Sequence, residues 1–289
     1  MAITASMVKE LRERTGLGMM ECKKALEETD GNMDLAIEEL RKKSALKAAK
    51  KAGRTTADGL LAVRLAEDGK RAALVEVNIE TDFAAKNEKF IGFVGDVLGE
   101  VFATGVTDVN ALLAGGLGAQ REQLVQEIGE NISVRRAAFF ETTDGVIASY
   151  LHGDNRKGAL VELSAGDAGL GRDVAMHVTA ISPMVVRGQD VPADVLEKER
   201  EIYTAQAAES GKPADIVAKM VEGRVRKYLA EVSLLDQPFV KDPNLTVAKL
   251  LAGANATCRR FVRYEVGEGI EVEKADFAAE VAAQVQASR

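Results

Sequence analysis

The chain repeats part of itself, and that repeat limits what it can fold into. Asp58-Gly59-Leu60-Leu61-Ala62 returns as Asp144-Gly145-Val146-Ile147-Ala148, an offset of 86 residues. At the same offset Asp68 meets Asp154, Lys70-Arg71 meets Arg156-Lys157, and Ala73-Leu74-Val75-Glu76-Val77 meets Ala159-Leu160-Val161-Glu162-Leu163. In the first copy, period-two runs flank Glu67-Asp68-Gly69-Lys70, and Asp-Gly between two such runs signals a hairpin. One offset held without a gap across two strands and their turn predicts a duplicated hairpin-plus-helix unit. The expected fold class is α+β, with a core of two related subdomains.

The copies part company after their hairpins, which is where function is expected. Copy one continues into Thr81-Asp82-Phe83-Ala84-Ala85-Lys86-Asn87 and a helix through about Phe102. Thr81 or Asp82 can N-cap that helix, with Phe83 folded back onto the core. Asp followed by Phe is nevertheless an odd choice if the chain needs only to turn. Copy two has a glycine-rich junction, Ala165-Gly166-Asp167, and a histidine, His177, inside a helix that stops at Ser182-Pro183.

Around this core the chain divides into further units. Residues 1–54 hold three short helices and a basic linker. Thr15-Gly16 ends the first helix, Gly16-Leu17-Gly18-Met19-Met20 opens the second, and Asn32 caps the third. Forty residues of helix bury little apolar surface, so this unit is expected to dock on something. Met19 and Met20 either form an adaptable docking point or close the small core. Residues 41–54 are rich in Lys, Arg and Ala without an aromatic, and read as a solvated helical linker or a phosphate-binding patch.

Residues 55–142 are the first subdomain, and residues 143–190 with 233–268 the second. Gly115-Gly116-Leu117-Gly118 reads as a flexible loop within the first. Between the parts of the second, residues 191–232 read as two helices reversing at Ser210-Gly211-Lys212-Pro213. This antiparallel coiled coil is an arm suited to self-association or partner contact. Residues 269–289 carry a last amphipathic helix around Phe277–Val281, a domain clamp or a partner contact.

Composition then removes several function classes. Net charge is −7 and Trp is absent, which disfavours a global polyanion field or a base-stacking platform. Cys22 and Cys258 have no metal-like neighbours and suit a reducing compartment. No secretion signal and no membrane-spanning run are visible, so a soluble cytoplasmic protein is expected. There is no Gly-x-x-x-x-Gly-Lys-Ser/Thr, no third glycine after Gly169-Leu170-Gly171 and no nucleophile elbow. With two histidines and no nucleophile signature near either, no enzyme and no cofactor are expected.

The motifs Met19-Met20-Glu21-Cys22-Lys23-Lys24-Ala25-Leu26, Ala48-Ala49-Lys50-Lys51-Ala52-Gly53, Thr81–Asn87 and Gly129-Glu130-Asn131-Ile132 resemble bacterial elongation factor Ts. So do Ala175-Met176-His177-Val178, Gly211-Lys212-Pro213, Lys219–Arg224 and Gln237-Pro238-Phe239-Val240, in the same order end to end. The resemblance implies an N-terminal domain like a ubiquitin-associated (UBA-like) domain, the two-subdomain core, the inserted coiled coil and a C-terminal helical module. It also implies a guanine nucleotide exchange factor whose partner is elongation factor Tu, GDP-bound or nucleotide-free, with no nucleotide site of its own. Met19 and Met20 would touch the partner's GTPase domain, Thr81, Asp82, Phe83 and Ala84 would dislocate its Mg2+, and His177 would lie against a farther domain. Ala84 departs from the family, which often carries Val there, and this bears on local packing. The rival reading is a ribosome- or RNA-binding accessory protein using residues 41–54.

Overall fold

The computed structural model describes residues 3–209 and 213–271. Three helices come first: α1 (Ala5–Thr15), α2 (Met19–Glu28) and α3 (Met33–Lys51). Thr4 and Asn32 cap the first and third through side-chain oxygens, and Gly16 closes α1 at φ 69°, a left-handed conformation that glycine adopts without penalty. Leu11, Leu17, Cys22, Ala25, Leu26, Ala36 and Leu40 fill the space between the helices.

The core consists of two three-stranded antiparallel sheets. Strands β1 (Asp58–Leu65), β2 (Arg71–Ile79) and β3 (Ile132–Glu141) form the first, in that order. Strands β4 (Val146–Leu151), β5 (Lys157–Leu163) and β8 (Cys258–Glu265) form the second, in the same arrangement. Both central strands bulge against their third strand at equivalent places, Glu76/Val77 and Glu162/Leu163. The repeated Asp-Gly has a steric reason as well. A Cβ on Gly59 would lie 2.2 Å from the Val77 carbonyl oxygen, and one on Gly145 would lie 2.6 Å from that of Leu163.

The sheets pack on each other through Leu61, Leu74, Phe140, Ile147, Leu160 and Tyr264. Their outer faces carry helices. Against the first lie α5 (Glu88–Thr104), α6 (Val109–Leu113) and α7 (Gly116–Ile128); against the second lie α8 (Ala168–Ile181) and α11 (Val247–Gly253). Along α5, Phe90, Phe93, Val94, Val97 and Val101 recur at helical spacing and are all buried on β2. Each such side chain contributes roughly 1.5–3 kcal/mol of burial, which fixes the helix that follows the Thr81 junction.

The structure corrects two expectations. Residues 116–118 form the first turn of α7, so the glycine-rich stretch is only partly a loop. Residues 41–51 are the second half of α3, as a helical linker would be, but Ser44 and Ala48 are buried, so one face is covered and only the other is solvated. Ala48 joins the core beside Leu124 and Val125, the Ser44 hydroxyl donates to the Gln126 carboxamide oxygen, and Lys51 Nζ donates to the Gly129 carbonyl. The helical unit thus docks on α7 of its own chain.

An antiparallel hairpin, α9 (Ala193–Ala208) with α10 (Ala214–Val232), is inserted before β6 (Pro238–Phe239) and β7 (Asp242–Thr246). Tyr203, Ala207, Val217, Val221 and Val225 pack its two arms together. Residues 210–212 of its reversal, and the terminal helix expected near 277–281 within the 269–289 module, lie outside the described residues.

Candidate functional site

The Thr81 junction is a helix start that has been broken open. In copy two, Asp167 caps α8 through Leu170 N–H, and the helix runs without interruption to Ile181. Thr81 stands at the equivalent position and caps in the same way, its hydroxyl accepting from Ala84 N–H at 3.2 Å. The helix it starts, α4 (Asp82–Ala85), lasts four residues. Asn87 then caps α5 afresh, accepting from Lys89 N–H. Of the short turn only Ala85 is buried, and it anchors the turn to the core.

What the break exposes is Phe83, 81% accessible. The reading in which it folds onto the core does not hold; Phe90 and Phe93 fill that space. Asp82 lies beside it and is ion-paired with Lys86 at 2.9 Å, and Lys86 Nζ sits 5.4 Å from the Phe83 ring centroid. The hydrogen bond from Lys86 holds the Asp82 carboxyl below the usual carboxylate range, so it is an anion at neutral pH. The pair is solvent-exposed, and a competing cation or donor can replace Lys86 at small cost. The junction therefore presents an unsheltered aromatic ring and an exchangeable carboxylate on a capped turn.

Thr81 is itself held. Its N–H and hydroxyl donate to the two carboxylate oxygens of Glu130, at 3.0 and 2.8 Å. The spacing rules applied to the sequence do not reveal this contact, because the two residues lie 49 positions apart; the only signal was Glu130 standing inside a family motif.

Met19 and Met20 are the first two residues of α2 and are 59% and 74% exposed. Leu17 and Cys22 on either side close the small core, which leaves both thioethers facing outward.

His177 is placed differently from its implied role. Its ring is buried at 0% exposure, and burial pushes its pKa below the ordinary imidazole value. Nδ1 accepts from Val240 N–H at 3.1 Å, so the neutral ring carries its proton on Nε2 and donates to Gln237 Oε1 at 2.9 Å. The imidazole cannot touch a partner as it stands. It holds residues 237–240, whose Val240 side chain is exposed beside it.

Among the described residues, no group of His, Cys, Asp and Glu could hold a metal ion, and no helix is long and apolar enough to cross a membrane. The cations of residues 41–54 are largely engaged: Lys42 pairs with Glu38 and Glu39, Lys43 with Glu28, Lys47 with Glu21 and Arg54 with Glu80.

Comparison with known proteins identifies the family. The family described as "Elongation factor TS" matches residues 80–268, starting one residue before the capped junction. An elongation factor Ts of Saccharophagus degradans is 58% identical over 289 residues, covering all of both chains. One of Hahella chejuensis is 58% identical over 285 residues, 99% of each chain, and one of Methylococcus capsulatus is 56% identical over 294 aligned positions, again covering both chains. The relatives match through the helical unit, both sheets and the inserted hairpin, and the chain belongs to the elongation factor Ts family.

Proposed function

We propose that this chain is a non-enzymatic guanine nucleotide exchange factor that binds elongation factor Tu·GDP and promotes GDP release, so that GTP can bind. The observation that carries the reading is Phe83, a large aromatic held out in solvent on a capped, broken helix turn. Such a ring gains by entering an apolar crevice of a partner. The helical unit then acts as the UBA-like domain and the two sheets as the paired subdomains.

In a GTPase, GDP is held by backbone donors and by Mg2+, which tolerates little departure from octahedral geometry. Phe83 wedges between partner helices while Asp82 leaves Lys86 and competes for groups that organise the Mg2+ shell. The β-phosphate grip weakens and GDP leaves. Coupling is reciprocal, so incoming nucleotide weakens the factor's own hold and frees it for another round. Met19, Met20 and the 237–240 segment held by His177 supply contacts that do not change between the states.

The test is the release of fluorescent GDP from elongation factor Tu. Phe83→Ala and Asp82→Ala are each expected to slow stimulated release at least tenfold, with thermal unfolding unchanged because neither side chain is buried. Wild-type release by both variants sinks the reading. The RNA-binding alternative predicts salt-dependent RNA affinity through residues 41–54, and an RNA affinity that does not change with salt counts against it.

A further inference from the structure

Glu130 stands where three segments of the chain meet. It follows Gly129, the left-handed residue that ends α7 at φ 88°. One carboxylate oxygen accepts from Thr81 N–H at 3.0 Å and the other from the Thr81 hydroxyl at 2.8 Å. The contact is reciprocated, because Glu80 Oε1 accepts from Asn131 N–H at 2.6 Å. The Asn131 side chain in turn donates to the carbonyls of Ala52 and Arg54, just beyond α3. Residues 130–131 therefore hold both the segment that bears Phe83 and the end of the helix that carries the N-terminal unit.

This clamp answers a mechanical need of the broken turn. A four-residue helix has no stability of its own, and α4 is tied down by the Thr81 cap and the buried Ala85. The hydroxyl proton of Thr81 is committed to Glu130, which leaves the hydroxyl oxygen's lone pairs aimed at Ala84 N–H. Glu130 thus fixes the rotamer of the cap, and the cap fixes the turn that presents Phe83. Charge-assisted bonds to a carboxylate are about twice as strong as neutral ones, which suits an anchor at a surface position.

We infer that Glu130 is a positioning residue for the exchange site: it sets the Thr81 cap, and without it Asp82 and Phe83 lose their fixed presentation. The inference rests on the exchange-factor reading for its consequence, though not for the clamp itself. It assigns Glu130 a role in the maximal rate of exchange rather than in binding.

The full-length protein serves for both arms of the test. In the free protein, Glu130→Ala should speed hydrogen exchange at the amides of Thr81 and Ala84 at least tenfold, while Val75 and Val77 in β2 keep wild-type protection. In fluorescent GDP release from elongation factor Tu, the rate at saturating Glu130→Ala should fall about tenfold and the half-saturating concentration change less than twofold. Glu130→Gln keeps one acceptor for Thr81 N–H and should recover part of that rate. Unchanged exchange at Thr81 and Ala84 overturns the clamp. A wild-type maximal rate for Glu130→Ala, measured beside a slow Phe83→Ala, overturns the positioning role. If Phe83→Ala is itself as fast as wild type, the exchange-factor reading has failed, and the amide arm alone decides the clamp.

Discussion

At the residue scale, sequence spacing separates types of side chain poorly when they sit next to a helix start. Phe83, Phe90 and Phe93 all fall near one apolar-periodic stretch, yet Phe83 is open and the others are core. The difference lies in the re-capping at Asn87, which shifts the phase of the helix; that Asn87 is a cap is evident only once the chain is seen to break. His177 shows the converse. A histidine in a copy that otherwise repeats its sister looks functional, but its ring is engaged by Gln237 and Val240 inside the fold. Because its native pKa is depressed, the folded state binds fewer protons than the unfolded one below the ordinary value of 6.5. Its contribution is complete above that pH and is lost as pH falls through the lower native value, when a protonated Nδ1 would face Val240 N–H. His177→Asn should cost about 1–3 kcal/mol at pH 7.5, the range for unpairing buried hydrogen-bond partners, and less at pH 5. Denaturant unfolding of both proteins across that range checks it, and parallel pH curves would count against the assignment.

At the element scale, the hairpins, the helical arm and the capped helices were legible because each has a local period or a turn signal. The α3–α7 contact was not, because a basic, alanine-rich stretch gives the same local pattern whether or not one of its faces is covered. Only Ser44 and Ala48, four apart, mark the buried side, and small residues carry little hydrophobic signal. Their smallness is nonetheless what lets α3 approach α7. A carboxylate at position 48 would be forced against Leu124 and Val125, so Ala48→Asp should cost on the order of 2–4 kcal/mol and undock the second half of α3. Trypsin should then cut within residues 42–54 at least tenfold faster than in the wild type, with the two sheets intact by far-ultraviolet circular dichroism. An unchanged cleavage rate would mean that α3 does not depend on this face. The same lesion loosens Met19 and Met20 relative to Phe83, because α3 is one of the two links between them, the other being the bond from Gln123 to the Thr15 carbonyl.

At the scale of the whole molecule, the duplication is more than a repeated element. Glu76 and Glu162 are equivalent residues on the central strands, and both are buried where the sheets face each other. Glu76 accepts from Arg135 at 3.0 Å and Arg136 at 2.5 Å; Glu162 accepts from Arg259 at 3.2 Å and Arg260 at 2.7 Å. Each arginine pair then reaches across. Arg136 lies 4.1 Å over the Tyr264 ring and donates to the Glu265 carbonyl, while Arg260 lies 4.1 Å over Phe140 and donates to the Glu141 carbonyl. The hairpin loops exchange contacts by the same rule, since Ile147 N–H donates to the Gly69 carbonyl and Leu61 N–H to that of Asn155. Two copies arranged this way are joined as a pseudo-twofold dimer within one chain: each half pairs its own buried glutamate, and the arginines so held cap the edge of the other half. Removing Glu76 takes away the buried anion that Arg135 and Arg136 share; both are about a quarter exposed and keep other acceptors, so the cost is roughly 3 kcal/mol, the low end for breaking a buried pair. Glu76→Ala should therefore lower the stability of both sheets together, as one transition shifted to lower denaturant. Hydrogen exchange separates the alternatives. Amides of β4 and β5 should lose protection along with those of β1 and β2, because Arg136 can no longer hold both Glu76 and the Tyr264 edge of the second sheet. If β5 keeps wild-type protection while β2 opens, the halves fold independently and the crossed arginines are ornament to two separate cores.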